Sequence, residues 1–481
     1  MEKFIPKNFD RINSVYLIGI KGSAMTALAE ILAQKNIKIY GSDTAEVFFT
    51  DSLLKKIKAV VFQEFNPENL KKLSRKIDLV IHSTAYNSKN NSEVAFAKEN
   101  KLQVLNYPQA LGLLFNKSYG LAVCGTHGKT TTTALLAQIL KTAGTDPSAL
   151  VGSKVAGWDS GSLSGQGRYF VIEADEYQNK LRYYNPRAVI ITNIDYDHPD
   201  FFKNPARYVE VFEQFVKKIP RQGFIVYNAA DPRAKAVCQK AKCQKISFAA
   251  RGNPDFKITK RRIIKDKGQE IIIRYKTGSP KQILFKKLKF TLPLFGIHNA
   301  LNAAAAITAA MRLGVKKQFI KKALHEFKST ERRFQKMGQL NQGLLFDDYA
   351  HHPKEITATL KGARERFPEK QIIAAFHPHT FSRTQAFKKQ FAQSLALADK
   401  VFVIDIYASA RENPSDFKIS AKTLVSLVNK AAPARSPKAQ YIPTIQQLAL
   451  IIKKISGPRV LFISMGAGDI WKIHALILKK C

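Results

Sequence analysis

Acidic side chains are scarce in this sequence: 37 Asp and Glu stand against 77 Lys and Arg, a formal net charge of +40 over 481 residues. Cysteine is scarcer still, with Cys124, Cys238, Cys243 and Cys481 alone. None of them belongs to the paired short spacings that a structural zinc needs, and four thiols cannot staple a chain of this length. Free thiols in a reducing cytoplasm are therefore expected. Long apolar runs are also missing. No stretch approaches the ~18 residues of a membrane span, and the first apolar run, Val15 to Ile20, is too short for a secretory leader. These absences predict a cytoplasmic protein with no membrane insertion.

The positive excess admits nucleic acid, anionic lipid or phosphorylated small molecules as partners, because each rewards a positive field. Its distribution argues against the first. The basic residues are spread as pairs, Lys55-Lys56, Lys71-Lys72, Lys217-Lys218, Lys286-Lys287 and Lys316-Lys317, which read as solvated helix faces with no nucleic-acid role. The rival of a nucleic-acid-binding P-loop ATPase stays open on charge alone, and predicts salt-sensitive binding. At ~150 residues per domain the chain should hold about three domains.

What is present gathers at Gly120-Leu-Ala-Val-Cys-Gly-Thr-His-Gly-Lys-Thr-Thr-Thr-Thr133. Leu121 to Cys124 has the length and apolarity of an inner strand. Gly125 and Gly128 free the backbone to turn, and a helix start follows. Exposed N–H groups at such a start, with Lys129 beside them, suit a triphosphate, and the Thr130 hydroxyl is placed to hold Mg²⁺. The bland alternative is a Gly-rich turn that binds nothing.

Strand-like and helix-like segments alternate along the whole chain, which argues parallel sheets covered by helices. Gly19-Ile-Lys-Gly22-Ser-Ala-Met25 occupies the first strand-to-helix turn and Ser42-Asp43 ends the second strand. Together they resemble a dinucleotide fingerprint, but the Gly-x-x-Gly spacing favours another nucleoside diphosphate over NAD. After the phosphate loop, Glu173-Ala-Asp175-Glu176 and Thr192-Asn-Ile-Asp195-Tyr-Asp197-His198 end successive strands, where carboxylates and an imidazole can complete Mg²⁺ coordination or merely cap helices. The alternating segment Lys260 to Lys289 predicts an antiparallel hairpin. His298-Asn299-Ala-Leu-Asn302 opens an Ala-rich helix ending at Gly314, with asparagines spaced either to read a base edge or to cap. Asp347-Asp348-Tyr349-Ala350-His351-His352-Pro353 and Phe376-His377-Pro378-His379-Thr380-Phe381-Ser382-Arg383-Thr384 end strands of a third unit. Neither His pair has carboxylate or Cys partners at zinc spacing, so substrate or phosphate contacts are expected there.

These motifs, in this order and with Arg332-Arg333-Phe334 between them, resemble the Mur ligase family, ATP-dependent enzymes that add amino acids to UDP-N-acetylmuramic acid. The resemblance implies an α/β fold of three domains: a Rossmann-like UDP-sugar-binding domain (residues 1–117), a central P-loop ATPase domain (118–328) and a Rossmann-like amino-acid-binding domain (329–481). It implies ATP held by Gly125, Thr126, His127, Gly128, Lys129, Thr130 and Thr131, with His298, Asn299, Arg333 and Asp348. Mg²⁺ would be held by Thr130, Glu173 and His198. UDP-N-acetylmuramate would lie along Gly22, Ser23, Ser42, Asp43 and Thr84, and the incoming carboxylate against Arg383 and His352, because the planar fork of Arg matches a carboxylate. The third-domain motifs and Asp405-Ile-Tyr407-Ala408 look like those of ligases that take L-alanine. Tyr177 and Asn106-Tyr107-Pro108 look more like those of the recycling ligase that takes a murein tripeptide. A monomer or homodimer is expected.

Overall fold

A computed structural model describes residues 9, 11–48, 50–73, 76–158, 160–265, 267–279, 282–408, 412–432 and 439–479; Cys481 lies outside them. The chain divides into two compact units, one of residues 1–194, 209–256 and 303–328, the other of 195–208, 257–302 and 329–481.

The first unit contains two sheets. Strands β1 (Ser14–Ile18), β2 (Lys38–Ser42), β3 (Val60–Phe62), β4 (Leu79–His82) and β5 (Val104–Asn106) pair in the order β3-β2-β1-β4-β5, all parallel. Every residue of β1 is buried, as a strand covered by helices on both faces requires. The strand order reverses between β1 and β4, so their C-terminal ends open a crevice. Gly19 follows β1 in the left-handed region at φ +80°, and a Cβ there would come within 2.7 Å of the Tyr86 ring.

The second sheet of this unit uses β6 (Tyr119–Cys124), β7 (Ser148–Val155), β8 (Ser160–Leu163), β9 (Tyr169–Glu173), β10 (Ala188–Ile191), β11 (Phe224–Asn228) and β12 (Gln244–Ala249), ordered β12-β11-β10-β6-β9-β7-β8. All these pairings are parallel except β7 with β8. β6 lies between β10 and β9, so the turn after it emerges inside the sheet's C-terminal edge and not at its margin. Strands β7, β8 and β12 are not anticipated by apolar periodicity; β8, Ser-Gly-Ser-Leu, has only one large apolar side chain.

After β13 (Phe256–Ile264), β14 (Gly268–Ser279) and β15 (Gln282–Leu292) form the expected antiparallel hairpin, in register from Gln269↔Leu292 to Ser279↔Gln282. Lys286-Lys287 therefore lies on a strand and not on a helix face. The second unit also holds a sheet of β16 (Gln335–Leu340), β17 (Gly343–Asp348), β18 (Gln371–Phe376), β19 (Lys400–Val403), β20 (Ala439–Tyr441) and β21 (Val460–Met465), ordered β16-β17-β21-β18-β19-β20. Only β16 with β17 is antiparallel. Successive residues alternate between two cores: Phe346, Ala374, Phe376 and Leu461 face one, Leu345, Ile373, Ala375 and Phe462 the other. That alternation explains the continuous apolar runs of these strands.

Candidate active site

The turn after β6 is shaped by what surrounds it. Gly125 sits at φ +122°, and a Cβ there would lie 2.4 Å from Thr192 Oγ1 and 2.6 Å from the Asn193 carbonyl. Gly128, at φ +79°, is the N-cap of the helix Lys129–Thr142. The segment after β10 latches the turn. Thr192 Oγ1 donates to the His127 carbonyl at 2.6 Å, Asn193 Nδ2 donates to the same oxygen at 3.0 Å, and the His127 N–H donates to Asn193 Oδ1 at 3.0 Å. The Thr126 N–H donates to the Asn193 carbonyl at 3.0 Å. Thr192 and Asn193 thus act as positioning residues for the loop.

Lys129 curls back over this turn. Its ammonium donates to the carbonyl of Gly125 at 2.6 Å and pairs with Glu176 Oε2 at 3.0 Å. Burial works against its charge, but the carboxylates of Glu176, Asp175 and Glu173 more than offset it and hold the pKa above the ordinary lysine value. The ammonium is thus a fixed cation. Thr130 Oγ1 donates to Glu173 Oε1 at 3.0 Å, while Glu173 Oε2 accepts the Gly152 N–H at 2.8 Å. Two hard oxygen ligands meet at the first turn of the phosphate-loop helix, a donor set that suits Mg²⁺. Glu176 is named by the sequence motif, but its role as the partner of Lys129 comes from the fold.

In the five-stranded sheet, Gly22 is the N-cap of the helix Ser23–Ala33. The Asp43 carboxylate accepts the Lys21 N–H at 2.8 Å, which ties the end of β2 to the Gly19–Gly22 turn. Ser42 donates to the buried Glu93, whose carboxylate also accepts from Tyr16 at 2.8 Å and Asn69 at 3.0 Å. Thr84 occupies the turn after β4. Lys21 is itself buried, donating to the carbonyls of Thr44 and Glu46 and to Gln63 Oε1, each at 2.8 Å. Sequence reading gives no role to Lys21, although it lies inside the Gly19–Gly22 motif, and passes over Glu93, which lies in ordinary helical context.

The remaining candidates belong to the second unit. His198 adopts φ +55° and its N–H donates to Asp197 Oδ1 at 2.7 Å. Arg383 Nε donates to the same Asp197 oxygen at 2.9 Å, so its fork is already engaged. His352 caps the helix Pro353–Arg366, accepting the Lys354 N–H at Nδ1, and its ring packs on Phe387. Burial pushes His298 down to about 4, leaving a neutral ring at the start of the helix Ile297–Arg312. Asn299 Nδ2 donates to the Phe295 carbonyl at 2.8 Å, a bond back to the fourth preceding residue and not an N-cap. Arg332 pairs with Asp347 at 2.9 Å, and both its guanidinium and that of Arg333 lie over the Tyr349 ring, at 5.0 and 5.3 Å. Asp348 accepts the N–H groups of Phe334 and Ala350, both at 2.8 Å, and burial raises its carboxyl to about 6.

A phosphate turn with a fixed lysine, a hydroxyl–carboxylate pair beside it and a reversal-point crevice in a separate parallel sheet define the class. Residues 14–119 match "Mur ligase family, catalytic domain", residues 123–310 "Mur ligase middle domain" and residues 332–468 "Mur ligase, glutamate ligase domain". The chain belongs to the Mur ligase family and has its three-domain α/β architecture. Among individual relatives it is 38% identical, over 95% of its length and 98% of theirs, to the UDP-N-acetylmuramate--L-alanine ligase of Desulfitobacterium hafniense. It is 33% identical to the ligase of the same name from Aquifex aeolicus, over 98% of each. The crystal structure of the UDP-N-acetylmuramate-alanine ligase MurC from Thermotoga maritima matches with a TM-score of 0.78 and 25% identity, covering 97% of this chain and 98% of that one.

Proposed function

We propose that this chain joins L-alanine to the carboxylate of UDP-N-acetylmuramate at the expense of ATP, in peptidoglycan synthesis in the cytoplasm. The observation that carries the reading is near full-length similarity, at 38% identity, to an enzyme named for that reaction, in a chain whose phosphate turn keeps Lys129 charged against three carboxylates. When bound, ATP supplies the phosphoryl group that activates the muramoyl carboxylate, and Mg²⁺ the positive charge that lets two anions meet.

The residues then divide as follows. Gly125 to Thr131 are proposed for the nucleotide phosphates, with the Thr126 and His127 N–H groups held by Asn193 and the N–H groups at the helix start turned to phosphate. Lys129 holds a cation where phosphate charge develops, and Thr130 and Glu173, with His198, would hold the metal. His298 and Asn299 are proposed for the adenine, and Arg333 and Asp348 for the nucleotide. Gly22, Ser23, Ser42, Asp43 and Thr84 are proposed for the UDP-sugar. Arg383, oriented by Asp197, and His352 are proposed for the alanine carboxylate. Of the residues that suggested a tripeptide acceptor, Asn106 forms a capping box with Gln109 and Tyr177 is buried. The experiment mixes the protein with ATP, Mg²⁺ and UDP-N-acetylmuramate and adds L-alanine, glycine, L-serine or the tripeptide in turn. ADP release with L-alanine supports the proposal; release with the tripeptide alone overturns it.

A further inference from the structure

The charge of the chain is not evenly laid down. Between Lys257 and Leu292 stand twelve basic residues against Asp266 and Glu270, so about a quarter of the net charge of +40 falls within 36 residues. This segment contains the β14–β15 hairpin, and the register sorts its side chains. Ile271, Ile273, Tyr275, Leu288, Phe290 and Leu292 are buried on one face. The other face carries Arg274, Lys276, Lys287 and Lys289 and ends at Ile283 and Phe285. Ile283, Leu284 and Phe285 are consecutive and each is 52% exposed. Lys286 and Lys287, directly after them, are exposed as well, and the Arg274 guanidinium lies 4.5 Å over the Phe285 ring.

β15 ends its sheet, and lysines on an edge strand ordinarily serve to prevent pairing with another strand. Protection alone gives no reason for three adjacent large apolar side chains in water. Their combination with cations matches one partner, a lipid surface with anionic headgroups. There apolar side chains enter the acyl boundary and ammonium groups meet phosphate. Single-stranded nucleic acid fits less well, because Ile283 and Leu284, two of the three exposed apolar side chains, cannot stack on a base. A second copy would bring like charge against like charge.

We propose that the exposed β15 edge of this hairpin docks the enzyme on an anionic lipid surface edge-on, with Ile283 and Phe285 inserted from one face and Leu284 from the other, and Arg274, Lys286 and Lys287 on the headgroups. None of these residues is assigned to the ligase site, so the proposal stands or falls separately from it. The test is co-sedimentation of the full chain with vesicles of phosphatidylglycerol and phosphatidylcholine, against phosphatidylcholine alone, at low and high salt. Binding is expected to the mixed vesicles only and to fall as salt screens the charge. The double variants I283S/F285S and K286E/K287E should each weaken it about tenfold or more while ADP release stays at the parent rate. Absence of binding to the mixed vesicles, equal binding to neutral ones, undiminished binding by both variants, or displacement from vesicles by single-stranded polyuridylate would each overturn it.

Discussion

Arg383 and Asp197 form a buried ion pair, with Nε 2.9 Å from Oδ1 and Nη2 3.4 Å from Oδ2. Their side chains are 5% and 6% exposed. Burial alone would raise the Asp197 carboxyl, but the guanidinium and, more weakly, His198, His352 and His351 hold it well below the usual carboxylate range. One oxygen of Asp197 thus fixes both the Arg383 fork and the His198 backbone, residues far apart in the chain.

Breaking this pair on one side should be costly because it strands the other charge. Arg383→Met and Asp197→Asn are each expected to destabilise the protein by about 3–5 kcal/mol, and the double variant by less than their sum. Denaturant unfolding of the four proteins checks this; additive losses would mean that the two groups do not interact.

Lys129→Ala should lower phosphate release by about 10²–10³-fold, the usual loss when a preorganised charge is removed from a developing anion. UDP-N-acetylmuramate binding, measured by calorimetry, should remain near the parent value. Glu176, 1% exposed at its side chain, would be left without the ammonium, so Lys129→Ala/Glu176→Gln should recover stability without recovering turnover.

Glu173→Gln and Thr130→Val should raise the Mg²⁺ concentration needed for half-maximal rate by about tenfold or more, since each removes one hard oxygen from a hydroxyl–carboxylate pair. Thr130→Ser, which keeps the hydroxyl, should behave as the parent. A magnesium titration of ADP release reads both.

Gly125→Ala should abolish nucleotide binding while leaving the protein folded. The methyl group meets Thr192 and Asn193 at a backbone angle that L residues rarely adopt. Titration with a nonhydrolysable ATP analogue measures the loss; unchanged affinity would mean that the turn plays no part in binding.

Stability should fall on mild acidification. Burial is the leading cause that lowers His298, His351, His377 and His474 to about 4 and His379 to about 3. An imidazole whose folded pKa lies below its unfolded value of ~6.5 stabilises the fold above that value, and the contribution is lost as pH falls toward the folded one. Asp348 acts in the opposite sense: with its carboxyl raised to about 6, its contribution is present below its unfolded value and lost as pH rises through 6. Burial raises the Glu93 carboxyl in the same sense as Asp348, but five imidazoles outweigh two carboxyls, so the melting temperature should drop between pH 6.5 and 4, and Asp348→Asn should steepen that drop.

Much of this architecture is legible in the order of residues. The inner strands β1, β4, β6, β10, β18 and β21 are apolar runs between turn signals, and a strand buried on both faces has to be written that way. Strands β8, β16 and β20 escape such reading because they lie at or near sheet edges, where pairing with a neighbour replaces burial as the reason to be extended.

The residues alone determine the phosphate turn, because Gly-Thr-His-Gly-Lys-Thr is a local device: its glycines, lysine and hydroxyl act within one turn of chain. Tertiary structure alone decides which side chains hold that device and its counterparts in place. Lys129 meets Glu176 across 47 residues, Ser42 meets Glu93 across 51 and Arg383 meets Asp197 across 186. Such pairs depend on which strand ends the sheet order brings together. A buried charge selects its partner by distance in space, which local periodicity does not encode.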